Sequence, residues 1–133
     1  DFDRNFAIGT PSDAVRSAYA TAYAATDAGL AAARPGATCA DLFRAMADVL
    51  QAGGAQVGDV GRLGHGLGMQ LTEWPSIMPS DMTVLQPGMV LTLEPGLEFA
   101  PGKMMVHEEN ILILEDGAEL LTRRAPMELP VVR

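Results

Sequence analysis

At 133 residues, 48% hydrophobic and 20% charged, the chain is long enough to bury a core and has the composition of a folded domain rather than a disordered segment. A net charge of −8 with no basic patch argues against a nucleic-acid partner, and no apolar run approaches a membrane span. The single Cys39 can form no intramolecular disulfide and fits a reducing, cytoplasmic setting. The acidic excess leaves two readings open, a solvated surface or carboxylates gathered as ligands of a cation.

In chain order, residues 1–9 read as a short strand ending at Gly9. The chain opens on Asp1 rather than Met and enters this strand directly, as a piece of a longer protein would. Pro11-Ser12-Asp13 is a helix start with Ser12 as N-cap, and Val15, Ala18, Tyr19, Ala22 and Thr26 recur at helical spacing. That predicts a first helix reaching the Gly29 to Ala33 region, where Arg34-Pro35-Gly36 breaks it. Thr38 with Asp41 predicts a capping box, followed by a second helix with the stripe Leu42, Ala45, Met46 and Val49, ended by Gly53-Gly54. From 55 to 115 the character becomes β-like, with runs at 61–71, 90–94, 97–99 and 106–114. Glu115-Asp116-Gly117 is a turn before a last short strand at 119–122. Two helices followed by antiparallel strands indicate an α+β architecture.

The polar residues inside the apolar runs are the candidates for chemistry. His65 lies between glycines in Gly64-His65-Gly66-Leu67-Gly68, which lets backbone approach closely on both sides. Glu94 ends Val90-Leu91-Thr92-Leu93, where a half-buried carboxylate is costly unless paired or metal-bound. In Val106-His107-Glu108-Glu109-Asn110, alternation puts His107 and Glu109 on one face and Glu108 and Asn110 on the other. Asp1 and Asp3 share a strand face. Each residue alone is also what a structural histidine or a solvated strand end looks like. Together, oxygen ligands with one imidazole suit a divalent ion such as Mn, Co, Zn or Fe with open positions for water.

The order of these motifs resembles the pita-bread hydrolases, the family of methionine aminopeptidase, prolidase and creatinase. Asp1-Phe2-Asp3-Arg4-Asn5-Phe6 resembles its motif of Asp, two residues, Arg, one residue, Phe. Gly64-His65-Gly66-Leu67-Gly68 resembles the segment of its histidine ligand, Leu93-Glu94-Pro95-Gly96 that of its first glutamate, and Val106-His107-Glu108-Glu109-Asn110 that of its last. The resemblance covers nearly the whole chain and implies the C-terminal part of a pita-bread fold, two helices on a curved, mainly antiparallel sheet. Residues 1–133 would then be one partial catalytic domain, inactive by itself.

The resemblance implies a metal-dependent hydrolase of C–N bonds of the prolidase or Xaa-Pro aminopeptidase type, acting on a short peptide or small molecule. Asp1, His65, Glu94 and Glu108 would be ligands, Asp1 and Glu108 bridging two divalent ions in the intact protein, with Glu94 also moving the catalytic proton. A further Asp ligand lies in the family roughly ten residues before the position of Asp1, outside this sequence. Dimers are common in the family, so a homodimer is expected of the intact protein. One departure concerns substrate. The family's peptidases usually carry His-Glu-x-Pro after the histidine segment, whereas here Thr72-Glu73-Trp74-Pro75 puts Thr72 at the substrate-binding histidine, with His107 as a possible substitute. Thr72 beside Trp74 resembles the ectoine-hydrolase branch, so an amidine hydrolase of creatinase or ectoine-hydrolase type, even metal-free, is the alternative. A non-catalytic binding domain on the same scaffold is the third.

Overall fold

A computed structural model of the chain describes residues 1–55 and 61–133; the start of the β-rich stretch, 56–60, lies outside the described residues. The first helix, α1 (Asp13–Ala32), begins where Ser12 Oγ accepts the Val15 N–H at 3.4 Å, with Asp13 in the positive first turn. It buries Ala18, Tyr19, Ala22, Ala25 and Thr26, and the chain turns extended at Ala33 before Pro35-Gly36. The capping box of α2 (Cys39–Ala52) is complete: Thr38 Oγ1 accepts the Asp41 N–H at 3.1 Å, and Asp41 Oδ2 accepts the Thr38 N–H at 2.9 Å. α2 buries Leu42, Met46, Ala47 and Leu50 while Ala45 and Val49 are half-buried, and Gly53 caps it. Cys39 is buried in its first turn, and that burial pushes the thiol up to about 11, so it stays an inert apolar filler.

The strands are β1 (Ala7–Ile8), β2 (Gly64–Gly66), β3 (Glu73–Ser76), β4 (Val90–Leu93), β5 (Gly96–Ala100), β6 (Lys103–Val106), β7 (Glu109–Leu114), β8 (Gly117–Leu120) and β9 (Val131–Val132). Five form an antiparallel sheet in the order β3-β2-β4-β7-β8, and β5 and β6 make a separate hairpin. β1 pairs in parallel with β9, Ala7 opposite Val131. The helices lie against one side of this layer: Leu91 and Leu93 of β4 and Ile111 and Ile113 of β7 join Ala22, Ala25 and Met46 in one core.

Several expected strands change shape. The 1–9 strand shrinks to Ala7–Ile8, because residues 1–6 find no ladder among the described residues. The 61–71 run shrinks to Gly64–Gly66, whose flanking glycines carry little strand preference. The 106–114 strand is two strands in different sheets, parted at His107 and Glu108. The expected 119–122 strand is Gly117–Leu120, and β3 and β9 were not anticipated.

Candidate active site

β2 is an inner strand of the sheet, between β3 and β4, and carries His65 opposite Thr92 of β4, which lies opposite Asn110 of β7. The glycines around His65 are demanded by contact. A Cβ on Gly64, at φ +148°, would stand 2.1 Å from the Thr92 carbonyl oxygen, and one on Gly66 would stand 2.2 Å from that of Trp74. No side chain fits either gap, so His65 sits where neighbouring backbones close in from both sides. The ring is 2% exposed, and its Nδ1 lies 2.9 Å from the Gly66 carbonyl oxygen. A carbonyl only accepts, so Nδ1 holds a hydrogen and Nε2 is the ring nitrogen left to face the site.

That Nε2 faces two acids. Asp1 Oδ2 lies 3.5 Å away and Glu94 Oε2 3.7 Å away. Acceptors facing acceptors are tolerated only with a cation among them, a second ring proton or a metal ion. Glu108 joins from the strand break before β7. Burial pushes its carboxyl up to about 7, the nearby Asp3 and Glu94 carboxylates add to the shift, and the protonated acid is a hydrogen-bond partner of Glu94. Asp1, His65, Glu94 and Glu108, expected from separate segments, are therefore neighbours. Their donor types fit a hard or borderline divalent cation. As they stand, however, no three His, Cys, Asp or Glu side chains among the described residues converge closely enough to hold an ion.

Behind the acids lies a floor of paired polar groups. Thr92 Oγ1 donates to Asn110 Oδ1 at 2.9 Å, both residues buried on the face shared by alternation with Glu94 and Glu108. Glu109, on the opposite face, is wholly buried and was not singled out from the sequence. It accepts from Arg4 at 3.1 Å, the Ala125 N–H at 2.9 Å, Arg124 at 3.5 Å, and Thr122 Oγ1. Burial pushes its carboxyl up, but the bonds from Thr122, Ala125 and Arg4 outweigh that and hold it below the ordinary range. The available signal was its place on the core-facing side of an apolar strand, where a charge needs partners.

The two residues expected to touch substrate fall differently. Thr72 is exposed in the loop just before β3, beside the exposed Trp74. His107 is 1% exposed, and its ring meets Tyr19 at 4.5 Å and Tyr23 at 6.1 Å between centroids. The substrate role suggested for His107 is therefore withdrawn, because α1 covers the ring.

The model of metallopeptidase family M24 matches residues 1–116. The chain belongs to metallopeptidase family M24. Among curated M24 relatives, the Xaa-Pro dipeptidase of Pyrococcus furiosus is 34% identical over 123 residues, which are 92% of this chain and 35% of that protein. The crystal structure of dipeptidase PepE from Mycobacterium ulcerans superposes with a TM-score of 0.90 at 36% identity, covering 99% of this chain and 35% of that one. The prolidase of Pyrococcus furiosus superposes at 0.82 with 34% identity, covering 89% and 35%. These likenesses establish the pita-bread fold expected from the motif order. The chain spans about a third of the length of the relatives it matches.

Proposed function

We propose that this M24 chain supplies most of the metal-binding face of a hydrolase that cleaves C–N bonds in short peptides, of the Xaa-Pro dipeptidase type. The observation that carries the reading is the Nε2 of His65 facing the carboxylates of Asp1 and Glu94, with Glu108 beside Glu94. Asp1, His65, Glu94 and Glu108 would hold the divalent ion, two ions in the intact protein, with Mn, Co, Zn and Fe all compatible with these donors. When bound, the metal lowers the pKa of a water and polarises the scissile carbonyl.

The chain's own residues perform the remaining tasks. Glu94 stands at the edge of the cluster with its side chain 30% exposed, so Oε2 can take a proton from water on the open side and return it to the leaving nitrogen. The hydrogen bond between Nδ1 and the Gly66 carbonyl keeps the imidazole in the tautomer whose Nε2 can ligate. Thr92 and Asn110 keep water from the far side of the carboxylates. Homodimerisation of the full-length protein and a cytoplasmic setting belong to the same reading; sedimentation of the full-length protein checks the first and cell fractionation the second.

A second reading rests on Thr72, exposed on the loop that follows the His65 strand. A hydroxyl can donate a hydrogen bond there but cannot carry positive charge near neutral pH, which suits a small amidine better than a peptide transition state. The deciding experiment measures metal content and turnover of Xaa-Pro dipeptides, ectoine and creatine by the full-length protein beside its Glu94→Ala variant. Bound metal with dipeptide turnover lost in Glu94→Ala supports the peptidase. Turnover of ectoine or creatine alone overturns it for the amidine hydrolase, and no turnover of any of them leaves a binding domain.

A further inference from the structure

Between β2 and β3 the chain makes a loop, residues 67–72, that follows directly on His65 and Gly66. Its first residue is tied to the sheet, the Leu67 N–H donating to the Val90 carbonyl at 3.1 Å. From Gly68 to Thr72 the loop is exposed, and the half-buried Glu73 opens the returning strand. Glu73 pairs with Gly66, and the register then slips, so that Ser76 rather than Trp74 comes opposite His65. The Glu73 side chain turns back over the loop. Its Oε1 accepts the Gln70 N–H at 2.8 Å, and its Oε2 lies 2.4 Å from where a Cβ on Gly68 would stand. The Gly68 N–H in turn donates to the Gln70 carbonyl at 3.3 Å. Gly68 has no left-handed φ, so its missing side chain makes room for the carboxylate rather than for a turn.

From this geometry we infer that Glu73 is a positioning residue: its carboxylate fixes the 67–72 loop on the rim beside His65, places Thr72 there, and so sets how tightly substrate is held without entering the chemistry. The inference rests on the substrate-facing role proposed for Thr72. An exposed loop loses much conformational freedom when it is held in one shape, and an ionised acceptor on a backbone N–H is among the stronger single bonds that can hold it. Thr72 stands next to Glu73, whose backbone is fixed by pairing with Gly66 and whose side chain is fixed by Gln70 and Gly68. Releasing the carboxylate therefore frees the stretch that presents the Thr72 hydroxyl while leaving His65 and its acids in place.

The test uses the full-length protein with whichever of Xaa-Pro dipeptides, ectoine and creatine it turns over. KM and kcat are measured for wild type, Glu73→Ala, Glu73→Gln, Gly68→Ala, Thr72→Val and the Glu73→Ala/Thr72→Val double variant, with hydrogen exchange at the Gln70 amide alongside. Glu73→Ala should raise KM roughly tenfold with kcat held within about twofold, and should speed exchange at Gln70. Glutamine keeps an oxygen for the Gln70 N–H, so Glu73→Gln should recover most of the loss. Gly68→Ala should behave like Glu73→Ala, because the new Cβ displaces the carboxylate while its charge stays in the protein. Beside Thr72→Val, Glu73→Ala should add little, since both act through one contact. Wild-type KM in Glu73→Ala overturns the inference, as do unchanged exchange at Gln70, a loss confined to kcat, or a loss that persists in full beside Thr72→Val. Those results leave the hydrolase reading standing, whereas a full-length protein that turns over none of the three substrates overturns both.

Discussion

The imidazole of His107 meets the ring of Tyr19 edge to face at 4.5 Å between centroids, and neither of its nitrogens has a hydrogen-bond partner among the described residues. Burial, with the Arg124 guanidinium nearby, pushes its pKa down to about 4 from the ordinary 6.5. The folded state therefore holds His107 neutral where the unfolded chain protonates it. Its contribution is complete above pH 6.5 and is lost as pH falls from 6.5 to about 4. The shift corresponds to roughly 3 kcal/mol. His107→Phe should keep the aromatic contact and flatten that acid limb of the stability profile. Denaturant melts at several pH values check this; an unchanged limb would refute it.

Glu108 works in the opposite sense. Its folded pKa is raised from 4.5 to about 7, so the folded state keeps a proton that the unfolded chain releases. Stability from this group is complete below pH 4.5 and is lost as pH rises from 4.5 to about 7. Glu108→Gln should remove that loss. If Glu108 is a ligand, saturating Mn2+ should also offset it in wild type but not in the variant, by about 2.7 kcal/mol at a hundredfold excess over Kd. Thermal melts with and without Mn2+ give the comparison.

Gly64→Ala should be among the most damaging single changes, since the new Cβ would stand 2.1 Å from the Thr92 carbonyl at a φ that L residues rarely adopt. A loss of about 4 kcal/mol is expected, with Thr92 and His65 pushed apart. Equilibrium unfolding measures it, and a change within about 1 kcal/mol would show that β2 and β4 can separate at small cost.

Glu109→Gln should cost on the order of 3 kcal/mol, because Arg4 and Arg124 would keep their charge without the carboxylate between them. Arg124 keeps Asp27 at 2.7 Å, so Arg4 is the more exposed of the two to this loss. Mutating the exposed Asp27 to Asn should cost well under 1 kcal/mol. Comparable losses in the two variants, by urea melts, would contradict this ranking.

What the sequence revealed and what it hid divide along the reach of the interactions. Ser12, Thr38 with Asp41, and Gly53 act on groups a few residues away, so both helices were legible almost to the residue. The break at His107 and Glu108 was not, because Asn5 and Arg4 grip the Val106 and Glu108 carbonyls there from far away in the sequence. β3 hid behind Pro75, which speaks against a strand until its pairing with β2 is known. For the site, motif order singled out Asp1, His65, Glu94 and Glu108, which the fold makes neighbours. That His107 belongs to the core was not legible, because the Tyr19 and Tyr23 rings that cover it come from α1, far away in the sequence.

β1 and β9 join the opening and closing stretches of the 133-residue sequence in a ladder of two residue pairs. With so few bonds between mostly exposed residues, this ladder opens before the buried five-stranded sheet does. Hydrogen exchange should find the neighbourhood of Ala7 and Val131 the first to open.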